Sequence, residues 1–377
     1  MQPEIAVMTE KEKWDSFLET GLLENHSLIS NAQVEMQTLQ TNSQLIPVTI
    51  KRNSSTRSTW VASLANAYGP YARDEIRIIN TNPLLKPLFY SASYVAEQLI
   101  KFSGLTRGSY INNWLVATNL YARDFDLNTF VSMTELMTHR EPSLPVIFRS
   151  LTPALHADLI LQLIEAGFVM LPTRQVWIAD NLQSGEWLRH QDIRRDLKLE
   201  NKFTDSGTTE WIESKSFTPF QFEEAIKLYH DLYCIKYTQY NADYTEAYLR
   251  IGVKTGFLQL TGLLDKHTSH MLGVVGMISL DDTITTPILG YDLTAPIEMG
   301  IYRRLTLHLL QKAERKKKIL HCSGGAGLFK RNRGANSHTE FAAIWPHHLP
   351  RWKKPSLHAL NFMIKKIALP YLQDHAL

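Results

Sequence analysis

Cysteine is almost absent: the chain holds two, Cys234 and Cys322, in 377 residues. So few thiols exclude a disulfide framework and a cysteine-rich metal centre, and predict a chain held by its core in a reducing cytoplasm. No metal is expected. Long apolar runs are also missing. Nothing approaches the ~18–20 consecutive apolar residues that span a bilayer. The first residues, MQPEIAVMTEKEKWD, have neither a basic flank nor an apolar core, so no secretion signal is expected there. There is no GxxxxGK(S/T), no HExxH and no GxSxG, which removes the phosphate loop, the zinc-protease helix and the nucleophile elbow. Asp, His and Ser are scattered in no recognisable order.

What is present is ordinary globular composition, 44% hydrophobic and 20% charged. The length exceeds one usual core, so two domains are expected. The net charge of +3 hides an asymmetry. From Arg303 to Lys366, 15 Lys and Arg face two acids, Glu314 and Glu340, a local excess of +13 that leaves −10 elsewhere. Such a segment attracts a polyanion: coenzyme A phosphates, a tRNA backbone or an anionic lipid surface. A plain solvated basic face is the alternative. The last helix, with Phe362, Ile364 and Ile367 beside Lys365 and Lys366, has the makings of a basic amphipathic surface.

Helix and strand patterns alternate, which predicts an α/β (α+β) chain. Residues 1–57 read as a polar, loosely organised leader with a short strand near Leu45–Lys51. An N-terminal domain over 58–205 follows. Its elements are a helix at 60–68 stopped by Gly69-Pro70, a helix at 91–102, a strand at 113–121 and a βαβ-like unit. That unit is the strand PVIFRS (145–150), a helix capped at Thr152-Pro153 and a strand at 168–179. A polar connection over 181–215 leads to a C-terminal domain, 206–377. It reads as helices at 220–237 and 244–256, then strands at 257–264, 271–280 and 286–293, with Asp281-Asp282 turning the last two. A long helix from Gly300 to 317, a strand at 318–322, a short helix at 326–333, a strand at 341–345 and a helix at 356–368 complete it. The two similar halves suggest a duplication.

Two segments carry chemistry. In YDLTAPIEMGIYRRLTLHLLQKA (291–313) a strand ends, and Gly300 opens a helix whose first N–H groups face outward beside Arg303 and Arg304. In HCSGGAGLFKRNRGANSHTEFAAIW (321–345) a Gly-rich turn, Ser323-Gly324-Gly325-Ala326-Gly327, precedes Phe329-Lys330 and Arg333-Gly334. The element order from 220 to 345 resembles the GNAT acyltransferase fold. The Gly-rich turn, Phe-Lys and following Gly resemble its tandem, Fem-type branch. The resemblance covers 110–377 as architecture and 286–345 as motif. It implies two GNAT-like domains, each a mixed, mostly antiparallel sheet flanked by helices.

The resemblance also implies roles. Lys330 stands where Fem-type enzymes stabilise the negative charge on the acyl carbonyl, a contribution of ~3–4 kcal/mol to such barriers. Gly300, Arg303, Arg304, Ser323, Gly324, Gly325, Gly327, Phe329 and Arg333 fall where the donor would bind. The expected reaction is direct transfer of an acyl group from an acyl-CoA or acyl-carrier thioester to a primary amine, small-molecule or lipid. Asp292 or His321 is the expected base; His338, His347 and His348 are further candidates, and Cys322 is a weaker one as nucleophile. Two departures stand out. Phe329 occupies the place of the tyrosine that protonates a leaving thiol in many GNAT enzymes. The pyrophosphate loop keeps only Gly300, with Tyr302 where a small residue belongs and Glu298 facing the phosphates. An aminoacyl-tRNA donor, as Fem-type enzymes use, therefore stays open. So do a carrier-protein partner, a peripheral anionic membrane contact and a non-catalytic binding module.

Overall fold

The computed structural model describes residues 8–21, 28–41, 44–55, 58–78 and 83–368, without the side chains of Ile367 and Ala368. The contribution expected of Ile367 to a basic amphipathic surface therefore lies outside the described residues. The strands are β1 (Glu35–Gln40), β2 (Leu45–Lys51), β3 (Gly108–Ile111), β4 (Val146–Leu151), β5 (Val169–Ala179), β6 (Thr209–Glu213), β7 (Gln259–Asp265), β8 (Met271–Leu280), β9 (Thr283–Tyr291), β10 (Ile319–His321) and β11 (Asn336–Trp345). The helices are α1 (Glu10–Thr20), α2 (Leu64–Tyr68), α3 (Pro70–Ile78), α4 (Lys86–Ser103), α5 (Leu127–Arg140), α6 (Pro153–Glu165), α7 (Gln191–Ser206), α8 (Pro219–His230), α9 (Glu246–Lys254), α10 (Ile301–Arg315), α11 (Gly327–Arg331) and α12 (Lys354–Met363). A π-helical stretch, Asp231–Tyr237, continues α8.

All strands join one 11-stranded sheet, in the order β1-β2-β3-β4-β11-β5-β10-β9-β8-β7-β6. The two halves have one pattern. Antiparallel β1-β2-β3 leads to β4, which is parallel to β3. Antiparallel β7-β8-β9 leads to β10, which is parallel to β9. The last strand of each half is exchanged. β11 pairs with β4 and β5, and β5 pairs with β11 and β10. Neither half thus completes its sheet alone. The boundary expected near 205 falls at the end of α7.

Apolar side chains fill both faces. In the C-terminal half α1, α8 and α9 cover one face and α7 and α10 the other. In the N-terminal half α5 and α6 cover one face, and α2, α4 and α12 the other. α8 also fits closely on the sheet. A Cβ on Gly290 would lie 2.5 Å from the backbone of Leu228 and Tyr229, so only glycine lets the helix rest on β9.

Some expected elements differ. Residues 8–55, read as a leader with one strand near Leu45–Lys51, supply that strand as β2 and also α1 and β1. α1 starts in a capping box, Thr9 with Glu12, and buries Trp14, Phe17 and Leu18. Phe17 stacks on Phe257 at 4.1 Å, so this helix closes the C-terminal core. Gly69-Pro70 stops α2, yet Pro70 begins α3 at once. Residues 113–121 form no strand. Asn112 and Leu115 adopt left-handed φ values of 54° and 57°, which break an extended run. Their apolar density reflects burial of an irregular segment.

Candidate active site

β9 and β10 pair only from Thr283↔Ile319 to Thr285↔His321. Beyond that point β9 continues against β8 to Tyr291, while the chain after His321 turns away. The edge of β9 facing β10 is therefore left unpaired over its last residues, and an opening forms. Thr286 Oγ1 is buried there without a hydrogen-bond partner among the described residues. Aromatic side chains gather around the opening. Tyr291 lies 6.0 Å from Tyr302, and Tyr302 lies 4.7 Å from Phe329. The π-helical stretch adds Tyr233 and Tyr237, with rings 5.8 Å apart. Burial pushes the Tyr302 hydroxyl well above its ordinary range, and Tyr233, Tyr237 and Cys322 are close enough to add to the effect.

The N-terminal half contributes α3. The Tyr71 hydroxyl lies close enough to the Glu75 carboxylate to favour its charged form. Burial raises the Glu75 pKa, and the Asp74 charge adds to this. Tyr71 and Arg174 oppose it without cancelling it. Glu75 is also within electrostatic reach of Tyr233 and Tyr237. A separate cavity of about 400 Å³ lies on the neighbouring face of α3, lined by Pro70, Arg73, Asp74, Glu97, Gln239 and Tyr240. An Arg73–Glu97 ion pair at 2.8 Å crosses it.

The Gly-rich turn 322–327 has an unusual backbone. Ser323, Gly325 and Ala326 all take positive φ, at 60°, 72° and 50°. Lys330, on α11, reaches back under it. Its ammonium donates to the carbonyls of Cys322 (2.6 Å), Gly324 (2.7 Å) and Ser323 (3.5 Å). Burial lowers its pKa to about 8. The ammonium thus points into the turn rather than into solvent. To meet an acyl oxygen it would have to release one of three carbonyls. Among the described residues, the N–H groups of Gly324, Gly325 and Ala326 have no acceptor.

Beneath the turn, where the strands exchange, lies a buried polar network. Arg174 donates to both Glu340 oxygens at 3.0 Å, to Ser323 Oγ at 3.1 Å and to Ala117 O at 2.7 Å. Burial alone would raise Glu340, but Arg174, with Arg149, holds its pKa below the usual carboxylate range. His321 is 1% exposed. Its Nδ1 accepts from Ser323 N at 3.1 Å, and its Nε2 has no partner among the described residues. Burial lowers its pKa to about 3, so the ring is neutral. His321 therefore supports the turn from below, sealed from solvent. Burial pushes the Cys322 thiol up to about 11.

The other predicted residues spread out. Gly300 has φ +53°, and a Cβ there would lie 2.5 Å from Leu199 Cδ2, so α7 occupies its open side. Arg303 pairs with Asp196 at 2.6 Å, and Arg304 with Glu200 at 2.6 Å. Arg333 shares Asp196 at 2.7 Å and lies over the Phe329 ring at 3.4 Å. These three guanidiniums bind α7 carboxylates, and Arg304 and Arg333 are buried. Gly327 is buried at the start of α11. Asp292 accepts from Thr294 N at 2.8 Å and Thr294 Oγ1 at 2.7 Å, the geometry of a turn cap. His347 and His348 bond Gly167 O and Leu144 O, away from the opening. His338 lies on β11, half-buried, its Nε2 unpartnered among the described residues.

The equivalent opening of the N-terminal half is filled by the protein. There Arg149 donates to Val61 O (2.8 Å) and Asn113 Oδ1 (3.1 Å), and buried Asn113 and Asn119 close the gap. The basic excess is also smaller than the sequence count. Lys312 and Lys318 bond Glu213 and Glu10. Arg315, Lys316, Lys317, Arg331, Arg351, Lys365 and Lys366 remain exposed.

Sequence reasoning missed Tyr71 and Glu75, although their i, i+4 spacing was a usable signal. It also missed the tyrosine ladder 229, 233, 237, spaced four apart.

No protein-family model and no curated protein sequence matches the chain. Among solved structures, FemX aligns over 91% of this chain and 93% of its own, with a TM-score of 0.50 at 9% identity. L-PGS from Bacillus licheniformis aligns over 61% of this chain and 77% of its own, with a TM-score of 0.45 at 12% identity. A tandem GNAT protein from the clavulanic acid biosynthesis pathway aligns over 63% and 75%, with a TM-score of 0.35 at 9% identity. The likeness to FemX spans both halves. The chain has a tandem GNAT-like, Fem-type fold.

Proposed function

We propose that this tandem GNAT-like chain is an acyltransferase that moves an aminoacyl group from aminoacyl-tRNA to a primary amine. The observation that carries the reaction class is Glu75, a carboxyl of raised pKa beside Tyr71 and Arg174, on a helix that packs on the π-helical stretch of Tyr233 and Tyr237. A base with a raised pKa is matched to proton transfer near neutral pH. Glu75 takes the proton of the attacking amine, whose nitrogen forms the new bond to the acyl carbon. The N–H groups of Gly324, Gly325 and Ala326 hold the oxyanion, with Lys330 fixing the turn. When the tetrahedral species collapses, the ester C–O bond breaks, and the ribose oxygen receives the proton held by Glu75.

The choice of donor rests on the arginines. Arg303, Arg304 and Arg333, expected to meet phosphates, are occupied by Asp196 and Glu200. Seven exposed cations between Arg315 and Lys366 instead spread over both halves, a footprint suited to a long polyanion. A lipid amine is a fitting acceptor. Trp352 and Phe362 are exposed on the same C-terminal segment as Lys365 and Lys366, which suits an anionic membrane. No helix among the described residues is long and apolar enough to cross one.

A second reading keeps an acyl-CoA or carrier thioester as donor. It is favoured by the parting of β9 from β10 beside the N-terminus of α10. Binding separates the two. With tRNA, log Kd should rise linearly with log salt, with a slope of roughly 3–6 for four to seven phosphate contacts. Tight, salt-insensitive CoA binding with no tRNA binding would overturn the first reading.

A further inference from the structure

We infer that His230, Cys234 and Asp243 form a binding site for one divalent transition-metal ion of the zinc class, clipping the tyrosine helix to the loop that follows it. Among the described residues they are the one group of at least three His, Cys, Asp or Glu side chains whose ligand atoms all lie within 4.8 Å of one another. Asp243 Oδ1 lies 3.8 Å from His230 Nε2 and 3.8 Å from Cys234 Sγ. The nitrogen–oxygen separation is too long for a direct hydrogen bond. Around a tetrahedral zinc, with bonds of ~2.0 Å to N and O and ~2.3 Å to S, such pairs sit about 3.3–3.5 Å apart. A contraction of a few tenths of an ångström brings both Asp243 pairs to that spacing, and the His230–Cys234 pair, within 4.8 Å, closes by up to about 1.3 Å to complete the site.

The carboxylate is already oriented for this. Ser30 Oγ donates to Asp243 Oδ2, which leaves Oδ1 turned to the histidine and cysteine. Asn31 Oδ1 accepts from Asp243 N at 3.0 Å, and Ser30 N donates to Asp243 O at 2.9 Å. Outer partners of this kind fix ligands in metal sites. His230 ends α8 and Cys234 stands four residues on, in the π-helical stretch, so both side chains leave one side of the helix. One thiolate, one imidazole and one carboxylate is a donor set that suits zinc, and its fourth position is left for solvent. The same helix carries Tyr233 and Tyr237. The loop already meets it through Asn241 Nδ2 on Tyr233 O at 2.9 Å and Tyr229 hydroxyl on Ala242 O at 2.8 Å. An ion at this point would stiffen that contact and the tyrosines at the opening.

The test is cobalt titration of untagged, chelator-treated full-length protein, followed by absorbance. A saturating thiolate-to-cobalt charge-transfer band at one equivalent is expected, displaced by zinc. It should persist in Cys322→Ser and vanish in Cys234→Ser, and His230→Gln should weaken binding at least ~10-fold. Zinc should raise the Tm of the wild type and not of His230→Gln. No band in the wild type, or a band that survives Cys234→Ser, overturns the site. Should Cys234→Ser not fold, the wild-type titration and His230→Gln decide: binding unchanged in His230→Gln overturns it.

Discussion

Replacing Lys330 by Met removes an ammonium and keeps an apolar stem of similar length, which separates two roles for this lysine. In the structure the ammonium holds two short carbonyl contacts, 2.6 Å to Cys322 and 2.7 Å to Gly324, and a longer one of 3.5 Å to Ser323. Two charged hydrogen bonds contribute roughly 3–6 kcal/mol together. Burial opposes them: lowering the pKa from 10.5 to about 8 corresponds to about 3.4 kcal/mol against the charged form. The net loss in Lys330→Met is therefore about 0–3 kcal/mol, read as a lower midpoint in urea at unchanged m-value. The pH dependence has a definite sign. The folded pKa is depressed, so the unfolded chain binds more protons between about pH 8 and 10.5. The wild type should gain stability relative to Lys330→Met as pH rises through that window, by at most ~1.4 kcal/mol per unit. If the variant unfolds at the wild-type urea midpoint while turnover falls ~100-fold or more, the lysine acts on the acyl oxygen and not on the turn.

Four further outcomes are expected. His321 is neutral when folded, with a pKa near 3 against an ordinary 6.5, so its contribution is complete above pH 6.5 and lost as pH falls. At pH 4.5 the wild type should have lost about 2.7 kcal/mol more than His321→Gln, measured by urea melts across pH. Glu340→Ala leaves Arg174 buried without its carboxylate and should cost about 3–5 kcal/mol, a loss read by thermal and chemical denaturation. Gly290→Ala forces α8 off β9 and should cost about 3 kcal/mol, with a loss of tyrosine near-UV circular dichroism as the local signature. Replacing Lys316 and Lys317 by Gln should reduce the salt slope of tRNA binding by up to ~2 without changing stability.

The C-terminal half was legible because its strands are buried along their length. β8 is buried at every position, and the Asp281-Asp282 turn after it is polar. β1 gave no such signal: as an edge strand it has one buried residue, Leu39. α1 buries only Trp14, Phe17 and Leu18 among six charged residues, so its periodicity is faint and the capping box is the better signal. The irregular 113–121 segment misled for the opposite reason, being apolar because it is buried. The exchange of β5 and β11 leaves no local trace, since pairing partners are chosen by the assembled sheet. The site divides likewise. The turn 323–327 is visible as glycine and small residues. The pairing of Arg303, Arg304 and Arg333 with α7 joins residues about a hundred positions apart, which no motif reports. Glu75 comes within reach of Tyr233 and Tyr237 only because α3 of one half packs on the π-helical stretch of the other.

The most direct test of the central claim is transfer of a radiolabelled aminoacyl group from tRNA to a panel of primary amines, comparing wild type with Glu75→Gln. The wild type should form amide product, and the variant should bind tRNA equally while turning over ~100-fold slower or less. Product formed at the wild-type rate by Glu75→Gln, or none from either aminoacyl-tRNA or acyl-CoA, would contradict the account.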